Sequence, residues 1–116
     1  MNFKETEIFG GVLKLFERTV EDVQKLDALI RSMKEITDAD NISLYAVILR
    51  DSLKHNFDDL KWYQFKRRGL KKKFSDLKYI LSHISVKELK DVIVEINELE
   101  GILTKKKTDN ELAMVS

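Results

Sequence analysis

The stretch FKETEIFGGVLKLF, residues 3–16, decides how the rest of the chain is read. Read as helix, it opens a long first segment from about Phe3 to Ile36, with Asn2 and Glu5 as a capping pair. Phe16, Val20, Val23, Ile30 and Met33 recur at helical spacing and form one apolar stripe. The Gly10–Gly11 pair opposes this reading, because each glycine costs a helix interior about 1 kcal/mol relative to alanine. Either the helix begins near Val12, or another backbone packs closely against the pair. No segment alternates with period two, so strands are not expected.

Outward from that stretch the pattern stays helical. TDADN, residues 37–41, closes the first helix and offers Asp38 or Asp40 as a cap for the next. A second helix is predicted from about Asn41 to Arg67, with Ile42, Leu49, Leu53, Phe57 and Leu60 inward, and Gly69 marks a break. Leu70, Phe74, Leu77, Leu81 and Ile84 define a short third helix. Ser85 and Glu88 form a capping box for a fourth, whose stripe is Leu89, Val92, Ile93, Ile96, Leu99 and Leu103. The expectation is an all-α antiparallel four-helix bundle over residues 1–105: two long helices, one short helix and a C-terminal helix. Residues 106–116 are expected to be a fraying tail.

Composition bounds the function. The chain has 116 residues, 43% hydrophobic and 35% charged, which suits one globular domain. It has no cysteine, so thiol catalysis, disulfides and zinc–thiolate sites are excluded. It has no proline to interrupt long helices. No apolar run approaches the roughly 20 residues of a membrane span, and the N-terminus lacks a secretory pattern, so a cytoplasmic protein is expected. No nucleophile–base pair or glycine-rich phosphate loop is visible; Ser52 and His55 stand three apart without an oxyanion hole.

Two groups of residues could carry chemistry. Asp51, His55 and Asp59 fall four apart on one side of the second helix, as metal ligands would. Asp27 and Glu100 interrupt the apolar stripes of the first and last helices. A buried carboxylate there needs a partner, a metal, a raised pKa or an escape to solvent.

LYAVILRDSLKHNFDDL, residues 44–60, and VKELKDVIVEINELEGIL, residues 86–103, resemble the second and last helices of small ferritin-like, rubrerythrin-type bundles. That resemblance implies a four-helix bundle and iron or another divalent metal. It also implies Glu-x-x-His pairs, from which this chain departs. Ser52 stands three before His55, the last helix has Glu98 where a histidine would complete Glu95-x-x-His, and the third offers only Asp76, with His83 near its end. A lost or reduced metal site follows, and catalysis is not expected.

The second group is KWYQFKRRGLKKK, residues 61–73, with seven basic residues and no acid. Outside it the chain holds 14 basic and 20 acidic residues, so a net charge of +1 conceals one concentrated positive region. Lys61, Lys66, Arg67, Arg68, Lys71, Lys72 and Lys73 could neutralise phosphates, and Trp62 could stack on an unpaired base. An acidic protein or an anionic membrane surface would fit the same composition. The leading expectation is a non-catalytic interaction protein that self-associates or binds a protein partner, the apolar LAMV at residues 112–115 contributing. Nucleic-acid binding through residues 61–73 and a metal-binding or redox bundle are the alternatives.

Overall fold

The computed structural model describes residues 2–101; Leu103 and the expected tail at 106–116 lie outside the described residues. The opening stretch is not helix. It folds as a β-hairpin of β1 (Phe3–Ile8) and β2 (Gly11–Phe16), paired antiparallel with Phe3 opposite Phe16 and Ile8 opposite Gly11. The turn has φ 55° at Phe9 and 78° at Gly10. Left-handed values at both central residues are those of a type I′ turn, whose twist matches that of the flanking strands. Gly10 adopts the left-handed value without a Cβ clash.

Among the described residues the expected all-α four-helix bundle is therefore corrected to a two-stranded sheet plus five α-helices. The alternation was hidden because both faces of the hairpin carry apolar groups. Ile8 and Leu15 enter the core. Phe3 and Phe16 meet on the opposite face, ring centroids 5.5 Å apart, and Lys14 Nζ lies 4.7 Å from the Phe3 ring centroid.

Helix α1 (Val20–Ser32) starts at a Thr19–Asp22 capping box, and α2 (Asp38–Leu53) at a Thr37–Asp40 box. Each box satisfies two backbone N–H groups that the first turn leaves unpaired. The second helix does not reach Arg67: α2 ends at Leu53, and a single 3-10 segment, Lys54–Phe57, follows it. Gly69 does not break the chain but lies inside α3 (Phe65–Phe74). The break falls at Ser75–Asp76, where Asp76 caps α4 (Leu77–His83). Helix α5 (Val86–Glu100) opens on the expected Ser85–Glu88 box and closes at Gly101, φ 70°.

The core joins Ile8 and Leu15 of the hairpin to Ala46, Leu49 and Leu53 of α2, Phe74, Ile80, and Leu89, Val92, Ile93 and Ile96 of α5. Helix α1 is peripheral, burying Leu26 and Asp22 while Val20, Val23 and Leu29 stay exposed. Among the described residues no helix is long and apolar enough to cross a membrane.

Helix α2 and the 3-10 segment after it also close one edge of the sheet. Antiparallel pairing alternates, so Lys14 and Phe16 point their backbone N–H and C=O away from β1. The Phe16 N–H donates to Ser52 Oγ at 2.8 Å, and that hydroxyl donates to the Phe16 carbonyl at 2.7 Å. Asn56 repeats the pattern on Lys14: its Oδ1 accepts at 3.1 Å and its Nδ2 donates at 2.8 Å. Two side chains, four residues apart on consecutive turns, thus stand in for a third strand.

Candidate nucleic-acid interface

The basic stretch is an exposed turn leading into α3, held in place by two side chains. Gln64 Oε1 accepts from the Lys61 N–H at 2.9 Å and from Arg67 Nη1 at 3.2 Å. Arg67 Nη2 also donates to the Asn56 carbonyl at 2.8 Å and to Asp59 Oδ1 at 3.0 Å. Arg67 is therefore a staple rather than a free cation. At the other end of α3, Phe74 is buried against Phe9, Phe57 and Tyr79, at centroid distances of 5.1, 6.4 and 5.9 Å.

Between these anchors the surface is open. Trp62, Tyr63 and Phe65 are 76%, 55% and 69% exposed. Trp62 and Tyr63 meet edge to face, centroids 5.8 Å apart and planes at 88°. Arg68 donates to the Trp62 carbonyl at 3.0 Å, and its guanidinium carbon lies 5.9 Å from the Phe65 centroid. Lys73 lies 5.9 Å from the centre of the Tyr79 ring. Among the described residues, Lys61, Lys66, Arg68, Lys71, Lys72 and Lys73 make no ion pair.

This arrangement opposes local stability. Arg67–Lys71 and Arg68–Lys72 are like-charge pairs four apart, each destabilising a helix by about 0.2–0.5 kcal/mol. Gly69 adds the roughly 1 kcal/mol cost of a glycine inside a helix. Only the three lysines of the last turn, Lys71, Lys72 and Lys73, favour the helix dipole.

The proposed metal ligands are dispersed. Asp27, expected inside a bundle, is 54% exposed and pairs with Arg31 at 3.0 Å, because α1 lies at the margin. Asp59 pairs with Arg67 at 3.0 Å, which holds its carboxyl below the usual range. His55 Nδ1 lies 2.9 Å from Asp58 Oδ2. Asp51 lies 3.8 Å from Arg50 Nε. Burial, then the nearby Asp22 carboxylate, raises the Asp51 pKa above its ordinary value. Glu100 alone is trapped as expected, and its partner is a cation. Arg18 donates from Nε at 2.9 Å, Nη2 at 2.8 Å and its backbone N–H at 2.8 Å. Among the described residues no three His, Cys, Asp or Glu side chains are grouped so that they could hold a metal ion.

Sequence reasoning missed Arg18 and the Asp22–Lys54 pair, which meet at 2.5 Å. Ser52 and Asn56 did leave a signal: Ser52 on α2 and Asn56 on the 3-10 segment that continues it both fall on the inward side of the expected helix, where a polar residue needs a partner.

No family model, curated protein or solved structure matches this chain. The ferritin-like resemblance thus rests on residues 44–60 and 86–103 alone.

Proposed function

We propose that the chain binds single-stranded nucleic acid through the turn and helix spanning residues 61–73. The supporting observation is the conjunction of three exposed aromatic rings with six cations that make no ion pair among the described residues. Aromatic faces accept unpaired bases at about 1–3 kcal/mol each, and cations between them neutralise the linking phosphates. An anionic membrane is served less well. Phe74 is the buried residue of α3, while the exposed Phe65 and Leu70 lie on different sides of the helix among Lys66, Arg68, Lys71 and Lys72, so its exposed apolar groups alternate with cations rather than gathering into one apolar face.

Trp62 is the only tryptophan and so reports directly on occupancy. Titration with single-stranded RNA at low salt is expected to quench its fluorescence. Trp62→Ala should weaken binding about 5- to 150-fold, the equivalent of one lost stacking contact. If all six cations engage phosphates, log affinity should fall with log salt at a slope of roughly −4. Replacing Lys66, Arg68, Lys71 and Lys72 by Ser should flatten that slope. Absence of quenching at low salt refutes the reading. A blue shift on phosphatidylserine vesicles, with no response to RNA, transfers the surface to membranes.

Self-association or a protein partner is the second reading, supported by the exposed Val20, Val23 and Leu29 on α1. Sedimentation equilibrium showing a strict monomer at high concentration counts against the self-associating form.

A further inference from the structure

The two edges of the hairpin are treated differently. Asn56 and Ser52 occupy the outer edge of β2, while among the described residues nothing occupies that of β1. The Glu17 N–H donates to the Asn2 carbonyl at 3.0 Å, which fixes the phase of the ladder. With that phase and the register of β1 on β2, the backbone groups of Phe3, Glu5 and Glu7 point away from β2. No hydrogen bond engages the outward N–H or C=O of these three residues among the described residues. An edge with several unpaired donors and acceptors is a template for another strand.

The surroundings of this edge select its occupant. A cleft of about 200 Å³ lies between the end of β1 and α5, lined in part by Thr6, Ile8, Glu88, Asp91 and Glu95. Glu98 follows Asp91 and Glu95 at helical spacing on the exposed side of α5. Glu95 Oε2 contacts Lys4 Nζ at 3.2 Å, whereas its Oε1 is buried with no hydrogen-bond partner among the described residues. On the other face of the sheet Glu5 and Glu7 are exposed. A strand added to β1 would place alternate side chains toward α5 and toward Glu5 and Glu7, so both of its faces would meet carboxylates. A second β1 fits less well, because self-pairing in the central registers sets Glu5 against Glu5 or Glu7, and directly opposed like charges destabilise a pair.

We infer that the open edge of β1 is a strand-addition site for an extended lysine- or arginine-rich peptide. Main-chain hydrogen bonds to Phe3, Glu5 and Glu7 hold it, and the acids of α5 and of the outer sheet face select its charge. This site lies apart from the basic surface and does not depend on the nucleic-acid reading.

The probe is the peptide Ac-KVKTKVK-NH2, with Ac-EVETEVE-NH2 as control, titrated into the full chain while amide resonances are followed. Saturable shifts centred on Phe3, Glu5 and Glu7, with slowed exchange of the Glu5 and Glu7 amides, are expected for the basic peptide only. Glu5→Pro removes an outward N–H that the hairpin does not use, and should weaken binding about tenfold or more. Asp91→Lys with Glu98→Lys leaves the edge intact and should weaken binding to a similar degree. The chain carries its own Lys105–Lys107, so the titration is repeated with these changed to Ser, where binding should persist or tighten. No saturable binding in either background overturns the inference. So does equal binding of the acidic peptide, or binding that survives both Glu5→Pro and the Asp91/Glu98 reversal.

Discussion

Removing one partner of the Arg18–Glu100 pair tests whether the ends of the hairpin and α5 are locked together by charge. The two side chains are only 5% and 8% exposed, and the guanidinium meets the carboxylate through two parallel hydrogen bonds of 2.9 and 2.8 Å. The same pairing, with other nearby acids, raises the Arg18 pKa further and keeps the cation charged. Arg18→Met preserves much of the side-chain volume but leaves Glu100 buried with one backbone N–H as its donor. Stranding a buried charge in this way costs about 3–5 kcal/mol. Domains of this size have about 5–15 kcal/mol of stability in total. At about 4 °C or more per kcal/mol, the melting temperature should fall by at least roughly 12 °C. Glu100→Gln alone should destabilise in the same direction by stranding the guanidinium. The double variant removes both charges yet keeps an acceptor for the Arg18 N–H, and should recover to within about 1 kcal/mol of the parent. Urea denaturation of all four proteins provides the cycle. A single-variant cost below about 1 kcal/mol, or a double variant as unstable as the sum of the singles, refutes the reasoning.

Ser52→Ala strips the side-chain partner from both backbone groups of Phe16; with Ser52 fully buried, a loss of about 1–3 kcal/mol is expected in urea denaturation. Asp51→Asn should stabilise the protein at pH 7, judged by thermal melts across pH. The folded-state pKa of Asp51 is raised above 3.8, so the folded form holds its proton more tightly than the unfolded chain does. The benefit of that proton is present below the unfolded value and fades as pH rises through the folded one. The advantage of Asn should therefore open as pH increases from about 3.8. Asp22 behaves oppositely. Burial raises its pKa, but hydrogen bonds from Lys54 and Thr19 outweigh that, so its stabilisation is lost as pH falls through a lowered folded value.

Much of the helical part of this chain is written locally. The Ser85–Glu88 box and the stripe from Leu89 to Ile96 depend on contacts within a few residues, so spacing alone located α5. The charge density of residues 61–73 was equally legible, because it requires no folding to exist. Which of its cations are uncommitted was not legible: Arg67 is tied down by Asn56 and Asp59, groups 11 and 8 residues away.

The hairpin shows where local reading fails. A helix and a two-residue turn both fit FKETEIFGGVLKLF when only apolar spacing is counted, and Gly10 separates them by a left-handed φ that no stripe records. The strand pairing gains its value from Ser52 and Asn56 closing one edge, 36 and 42 residues distant, and from Leu15 entering the same core as Leu49 and Ile96. Sequence by itself determined the Ser85–Glu88 cap, the helical character of α1, α2 and α5 and the location of charge, since these are short-range properties of neighbouring residues. Tertiary structure alone decided strand against helix at residues 3–16, burial of Glu100 against exposure of Asp27, and which sheet edge stays open. Each of those depends on desolvation and pairing with groups that only the folded chain brings close.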